Sequence, residues 1–266
     1  MNPMNFLSKK EIDHSKKFDI KGYSIIKVEN IESLNYINKL ILITVKKYLK
    51  TKKNINLNYI HELVSINELN QFRLKIIQAI SNNKLARFHY FNLARENIYS
   101  IVGNELMMQK SINLSIQFPH DNSSLLPIHS DVWSGDSPYE VNLWLPLVNC
   151  YKTKSMYILE QRNYEEFKKK LKENKAKNSL EIYNIIKKKL KWLKVNYGQC
   201  LIFDQTLPHG NIVNQEKQTR WSMNCRFKSL FSPYGDKKIG EFFLPITTRS
   251  MTRIGMNFEF PFGKKK

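Results

Sequence analysis

The sequence predicts a mainly β domain standing behind an N-terminal helical layer, and three observations predict it. Over residues 30–83 apolar side chains recur at steps of three and four, through Leu34, Ile37, Ile41, Val45 and Tyr48 and again through Phe72, Ile76 and Ile80. From about residue 112 the period drops to two, because apolar and polar residues alternate through Asn113-Leu114-Ser115-Ile116-Gln117-Phe118 before Pro119. Further short apolar stretches at 126–132, 140–147, 155–160, 199–204 and 219–231 are separated by Pro, Gly, Asn and Asp, the punctuation of a strand series. A chain of 266 residues with 42% apolar content buries a full core without disulfides, so a single domain is expected.

The parts follow in order. Residues 1–110 form a mostly helical N-terminal layer, 111–232 the β core, and 233–266 a C-terminal extension ending in a frayed Lys-rich tail at 263–266. Within the core, residues 152–194 carry thirteen Lys, one Arg and five Glu and lack strand alternation, which reads as a solvated helical insertion.

Composition limits the classes of function. The chain carries 43 Lys+Arg against 23 Asp+Glu, a formal charge of +20, which attracts anions. Only eight of these cations are Arg, whereas sites selected for phosphate favour guanidinium forks, so nucleic acid is not the expected partner. Cys150, Cys200 and Cys225 include no CxxC pair and indicate neither a disulfide framework nor a zinc knuckle. The longest apolar run, Leu40-Ile41-Leu42-Ile43-Thr44-Val45, is too short to cross a bilayer, and the N-terminus lacks the apolar centre of a signal peptide. A cytoplasmic location without a transmembrane segment is expected; the oligomeric state is not legible.

The chemistry concentrates in two places. In Pro127-Ile128-His129-Ser130-Asp131, two residues two apart on a strand present an imidazole and a carboxylate to the same side, and His209 in Leu207-Pro208-His209-Gly210-Asn211 can complete three ligands. Two histidines and one carboxylate form the facial triad that suits Fe(II) and leaves positions open. Eleven residues beyond His209, Arg220-Trp221-Ser222-Met223-Asn224-Cys225-Arg226-Phe227 alternates strictly. Arg220, Ser222, Asn224 and Arg226 share one face, and unpaired charges there cannot lie in a dry core. That face must meet water or bind an anion, and a dicarboxylate held by a guanidinium fork and a hydroxyl fits it.

Together these motifs resemble the Fe(II)/2-oxoglutarate-dependent oxygenases, and their order and the eleven-residue gap look like the phytanoyl-CoA hydroxylase-like branch. Tyr197-Gly198-Gln199-Cys200-Leu201-Ile202-Phe203-Asp204 is similar to that branch's Gly-Asp strand, with Gln199 in place of the usual acidic residue. More narrowly, the stretch from His129 to Leu147 resembles oxygenases encoded sporadically in carbohydrate gene clusters. The resemblance covers about 112–232.

It implies a double-stranded β-helix, or jelly-roll (cupin-like) core, with Fe(II) on His129, Asp131 and His209. The cosubstrates would be 2-oxoglutarate and O2, and the former would be oxidised to succinate and CO2 as a C–H bond is hydroxylated; desaturation or epimerisation stays open. Arg220 with Ser222 would hold the distal carboxylate of 2-oxoglutarate, with Arg226, on the same face, as the alternative. Gln117 and Asn142, on polar strand faces, are candidates for cosubstrate or substrate contact, or for structural hydrogen bonds. Trp144 reads as core, and Ser134, Asp136 and Tyr139 follow the metal-binding strand, where loops normally touch substrate, although a plain Gly-Asp turn explains Gly135-Asp136 just as well. The expected substrate is a small molecule, a sugar, anionic sugar derivative or glycan precursor. The alternatives are a nucleic-acid dealkylase or binder, suggested by two Arg six apart, and a non-catalytic jelly-roll binding module.

Overall fold

The computed structural model describes residues 6–174 and 176–261, so the Lys-rich end at 263–266 lies outside the described residues. The N-terminal part contributes α1 (Lys9–Lys21), β1 (Tyr23–Lys27), α2 (Ile31–Tyr48), α3 (Leu69–Asn82), α4 (Ala86–Asn92), α5 (Arg95–Val102) and β2 (Leu106–Gln109). The core follows with β3 (Asn113–Gln117), β4 (Glu140–Pro146), β5 (Tyr157–Leu159), α6 (Tyr164–Asn174), α7 (Ser179–Ile186), β6 (Leu190–Trp192), β7 (Gln199–Asp204), β8 (His209–Gly210) and β9 (Arg220–Ser229). The C-terminal part adds β10 (Phe243–Thr247) and α8 (Ser250–Met256).

Two antiparallel sheets form a jelly-roll. The larger runs β1-β7-β4-β9, and beyond β9 its edge is shared: β2 pairs with the C-terminal half of β9, from Leu106↔Ser229 to Met108↔Phe227, and β3 with the N-terminal half, from Asn113↔Asn224 to Gln117↔Arg220. β10 then pairs with β2. The smaller sheet runs β6-β5-β8.

Alternation along β9 decides which side of the large sheet is dry. Trp221, Met223, Cys225 and Phe227 are fully or almost fully buried on its outer face. The helical layer covers them, with Phe72 of α3 edge-on to Trp221 at 5.9 Å, the indole N–H donating to Leu57 O at 2.9 Å, and the Tyr90 hydroxyl donating to Leu143 O at 2.8 Å. Fully burying a side chain of this size contributes about 2–3 kcal/mol. With the outer face dry, the inner face is free to be polar.

The helical period over 30–83 belongs to two helices rather than one. α2 ends at Tyr48, Lys50 takes a left-handed φ of 50°, and short 3-10 turns at Leu57–Glu62 and Ile66–Glu68 lead into α3. The segment 126–132, expected as a strand, forms no named strand among the described residues and meets the β8 segment through the isolated bridge His129↔His209 and the Asn211 N–H donating to Leu126 O at 2.9 Å. Asp131 instead opens a 3-10 turn through Ser134. The departure has a local cause: the Asp131 N–H and the Ser130 hydroxyl are captured by the Gln205 carbonyl, and Ser130 also reaches Thr206 O at 2.8 Å. The ends of the Lys-rich segment are likewise strands, β5 and β6, while α6 and α7 lie on the outer face of the small sheet through Tyr157, Leu159, Phe167 and Ile186.

Candidate metal and anion site

His129 and His209 face each other across their bridge, exchanging backbone hydrogen bonds of 2.9 and 2.8 Å with ring centroids 4.3 Å apart. Each ring is oriented by its own chain. His129 Nδ1 lies 2.8 Å from Pro127 O and His209 Nδ1 lies 2.8 Å from Leu207 O. A carbonyl oxygen can only accept, so both Nδ1 atoms carry a proton, and in each neutral ring Nε2 is the nitrogen left to bind a metal. Asp131 Oδ1 stands 3.5 Å from His129 Nε2 and 4.0 Å from His209 Nε2, and the ligand atoms of the three residues lie within 4.8 Å of one another. Asp131 Oδ2 is buried and has no hydrogen-bond partner among the described residues. Two imidazole nitrogens of fixed tautomer and a carboxylate with an unused oxygen fit a divalent transition metal.

Gly210 makes this geometry possible. A Cβ there would come 2.8 Å from Leu126 O and from the Tyr157 hydroxyl, so any larger residue would push the His209 strand away from the His129 segment.

Charge and burial keep Asp131 and His209 in the protonation states that bind metal. Burial opposes ionisation of Asp131, but the hydrogen bond from His129 and the charges of His209 and Arg226 hold its carboxyl well below the usual range. Burial pushes His209 down to about 4, favouring the neutral imidazole that binds metal. Burial also pulls on His129, yet its hydrogen bonds to Asp131 and Pro127 O outweigh this and raise it.

These residues open into a cavity of about 220 Å³ over the inner face of the large sheet. The register lays its floor in rows: Ser115 beside Ser222, then Asn113, Asn224 and Trp144, then Arg226, Asn142 and Phe203. Arg220 is 3% exposed and lies at the inner end, where Nη1 donates to Ser155 O at 3.1 Å and Nη2 to Ser115 Oγ at 2.9 Å. Its Nε and the nearby Ser155 Oγ are buried without a hydrogen-bond partner among the described residues. Burial draws the guanidinium down to about 10, still far above neutrality, so it remains a cation with no carboxylate against it among the described residues. A buried cation whose contacts are a carbonyl and a hydroxyl is a seat for an anion.

The two arginines therefore differ. Arg226 Nη2 is 3.2 Å from Asp131 Oδ1, while its Nε donates to Gln205 Oε1 at 2.9 Å and lies 3.7 Å from Asp136 Oδ1. It is occupied by the protein's own acids, whereas Arg220 is not. Ser222 and Asn142 line the cavity, and Asn142 Oδ1 is buried and unpartnered among the described residues. Gln117 does not line it: its amide donates to Ile212 O at 2.9 Å, bracing the segment after β8. Trp144, read as core, is a lining residue although only 5% exposed. Asp136 faces Arg226, and Tyr139 is exposed.

Ser115, Asn113 and Asn211 enter the site without having been singled out. The first two share the polar face of the 113–117 alternation with Gln117, so the pattern that marked Gln117 marked them equally. Ser155 contributes through its backbone carbonyl, which leaves no mark in a sequence.

No protein-family model and no curated protein matches the chain. Solved structures do. ThoJ, described as a non-heme monooxygenase in a nickel complex, is 14% identical, with 89% of this chain and 84% of that one covered at a TM-score of 0.54. SnoK, a non-heme alpha ketoglutarate dependent carbocyclase from nogalamycin biosynthesis, is 14% identical over 91% and 97% at 0.52. HygX from Streptomyces hygroscopicus, with nickel and 2-oxoglutarate bound, is 10% identical over 88% and 90% at 0.51. At these identities the likeness establishes a shared fold.

Proposed function

We propose that the protein is an Fe(II)- and 2-oxoglutarate-dependent oxygenase hydroxylating a C–H bond of a small molecule. The observation that carries this reading is one cavity holding both a His129–Asp131–His209 cluster and a buried, carboxylate-free guanidinium. The fold shared with SnoK and HygX supports it, since those proteins are described as using or binding 2-oxoglutarate.

The site residues divide the work. His129, Asp131 and His209 would hold iron, which when bound supplies the activation of O2 with 2-oxoglutarate as the two-electron reductant, giving succinate and CO2. Arg220 anchors the distal carboxylate, aided by the hydroxyls of Ser115 and Ser222, and so orients the keto acid towards the metal ligands. Carboxylate binding also gives Arg220 Nε the acceptor it lacks. Asp131 fills the carboxylate position of the triad. Phe203, Met156 and Leu126 line the cavity with apolar surface that limits water near the ligands.

The substrate we assign is a sugar, anionic sugar derivative or glycan precursor. Its support is the amide and hydroxyl lining of Asn113, Asn142, Asn211, Asn224 and Ser222 beside the Trp144 ring, which suits a molecule rich in hydroxyls. In the presence of Fe(II), O2 and 2-oxoglutarate the protein is expected to form succinate, slowly without substrate and faster with it. His129→Ala and Asp131→Ala should abolish this while keeping the wild-type circular dichroism spectrum. Succinate formation undiminished in both folded variants would reject the reading.

A further inference from the structure

Asp131 is the one proposed ligand outside the backbone bridge. His129 and His209 are fixed to each other by a backbone bridge, whereas Asp131 opens a 3-10 turn, so something else must aim its carboxylate. Arg226 touches that carboxylate at 3.2 Å, and what fixes Arg226 is Gln205, a fully buried residue in the loop between β7 and β8.

The orientation of the Gln205 amide is forced. One end lies 3.2 Å from Ser137 O and 2.8 Å from Glu140 Oε2, and a peptide carbonyl cannot donate, so that end is Nε2. The other end is then Oε1, accepting from Arg226 Nε at 2.9 Å. Glu140 is itself fixed, since its Oε1 accepts from Ser137 N at 3.1 Å. The backbone of Gln205 acts on the same target, because its carbonyl accepts the Asp131 N–H at 3.1 Å and the Ser130 hydroxyl at 3.1 Å. One residue thus holds Asp131 twice, at its main chain directly and at its carboxylate through a guanidinium.

We infer that the Gln205 side chain is a positioning residue for the metal site, aiming the Asp131 carboxylate through Arg226 with Glu140 and Ser137 as its footing. The inference rests on the metal-site reading above. It accounts for a buried polar chain, Glu140–Gln205–Arg226–Asp131, that runs from the strands to the triad. It also assigns Arg226 a task other than binding cosubstrate.

The test is Co(II) titration, followed by the visible absorption of the bound ion, of wild type, Gln205→Met, Arg226→Met and the double variant, with thermal melts of each metal-free protein. Gln205→Met swaps one neutral side chain for another of similar volume, so it alters geometry and not charge. It is expected to weaken Co(II) binding by about 10- to 100-fold, the usual effect of losing an outer partner of a metal ligand. In the Arg226→Met background the same substitution should change affinity by less than about twofold, because residues acting through one another do not add. Equal losses in both backgrounds, or no loss in the single variant, would overturn the inference. Should Gln205→Met fail to fold, Gln205→Glu keeps the acceptor for Arg226 and can share a proton with Glu140. It is expected to bind within about threefold of wild type, and a loss at the tenfold level typical of a missing outer partner would overturn the inference. Wild type that binds no Co(II), with His129→Ala as the reference, would instead remove the metal-site reading itself.

Discussion

Two buried cations show how burial sorts residues by their partners. The Lys154 ammonium donates to Asn58 Oδ1 at 2.6 Å and Gln218 Oε1 at 2.8 Å, closing the turn before β5 onto the helical layer. Arg220 offers a fork to the cavity instead. Burial pushes Lys154 down to about 8, and the lysine can give up its proton, which Arg220 cannot near neutrality. The sign of the linkage follows. Unfolded Lys154 titrates near 10.4, so between about pH 8 and 10.4 the unfolded chain binds the extra proton, and this residue's contribution to stability rises with pH. The expected result is a stability difference between wild type and Lys154→Met that shifts in favour of wild type from pH 8 to 10, measured by urea unfolding. A difference independent of pH would show that the amine titrates normally.

At the scale of the element, β9 carries the design. Its alternation was legible because one face is packed against helices and the other lines a cavity, so neither face tolerates exchange. Spacing favoured Arg220 over Arg226 as the seat for an anion, but the contacts that set the two apart, Asp131, Asp136 and Gln205 meeting Arg226 in space, could not be read from the sequence. Other elements were illegible for physical reasons. β2 and β10 are short strands with no clean alternation, and β1, at the sheet edge, follows α1 after a single Gly22. The Asp131 segment reads as a strand by composition and leaves the ladder only because Gln205, 74 residues away, takes its N–H.

The Lys-rich segment makes the same point in reverse. Its charge describes its solvated side, while its structural role lies in Phe167 and Ile186, which cover Tyr157 and Leu159 on the small sheet. Phe167→Ala is expected to cost about 3–5 kcal/mol of stability, the range for deleting a buried ring. Because these side chains lie on the outer face, Co(II) affinity of the folded variant should match wild type. A large loss of affinity without loss of stability would mean that the insertion shapes the triad directly.

For the whole molecule, the two sheets are supported from outside, the large one by the N-terminal helices and the small one by α6 and α7. That support lets the inner faces give up hydrophobic contact and carry His129, Asp131, His209 and Arg220 around one cavity. Among the described residues no helix is long and apolar enough to cross a membrane. The formal charge of +20 draws anions to the surface, but under the proposed function selection of a dicarboxylate would fall to the buried Arg220 fork at the cavity's inner end.

The most direct measurement is an anaerobic titration of Fe(II) and then 2-oxoglutarate, following the visible charge-transfer band that the keto acid produces on Fe(II). The account predicts a band in wild type, its absence in His129→Ala, and in Arg220→Met a band that needs at least about tenfold more 2-oxoglutarate, as expected for losing a charged hydrogen-bond partner. Folded wild-type protein that shows no band at saturating Fe(II) and 2-oxoglutarate would contradict it.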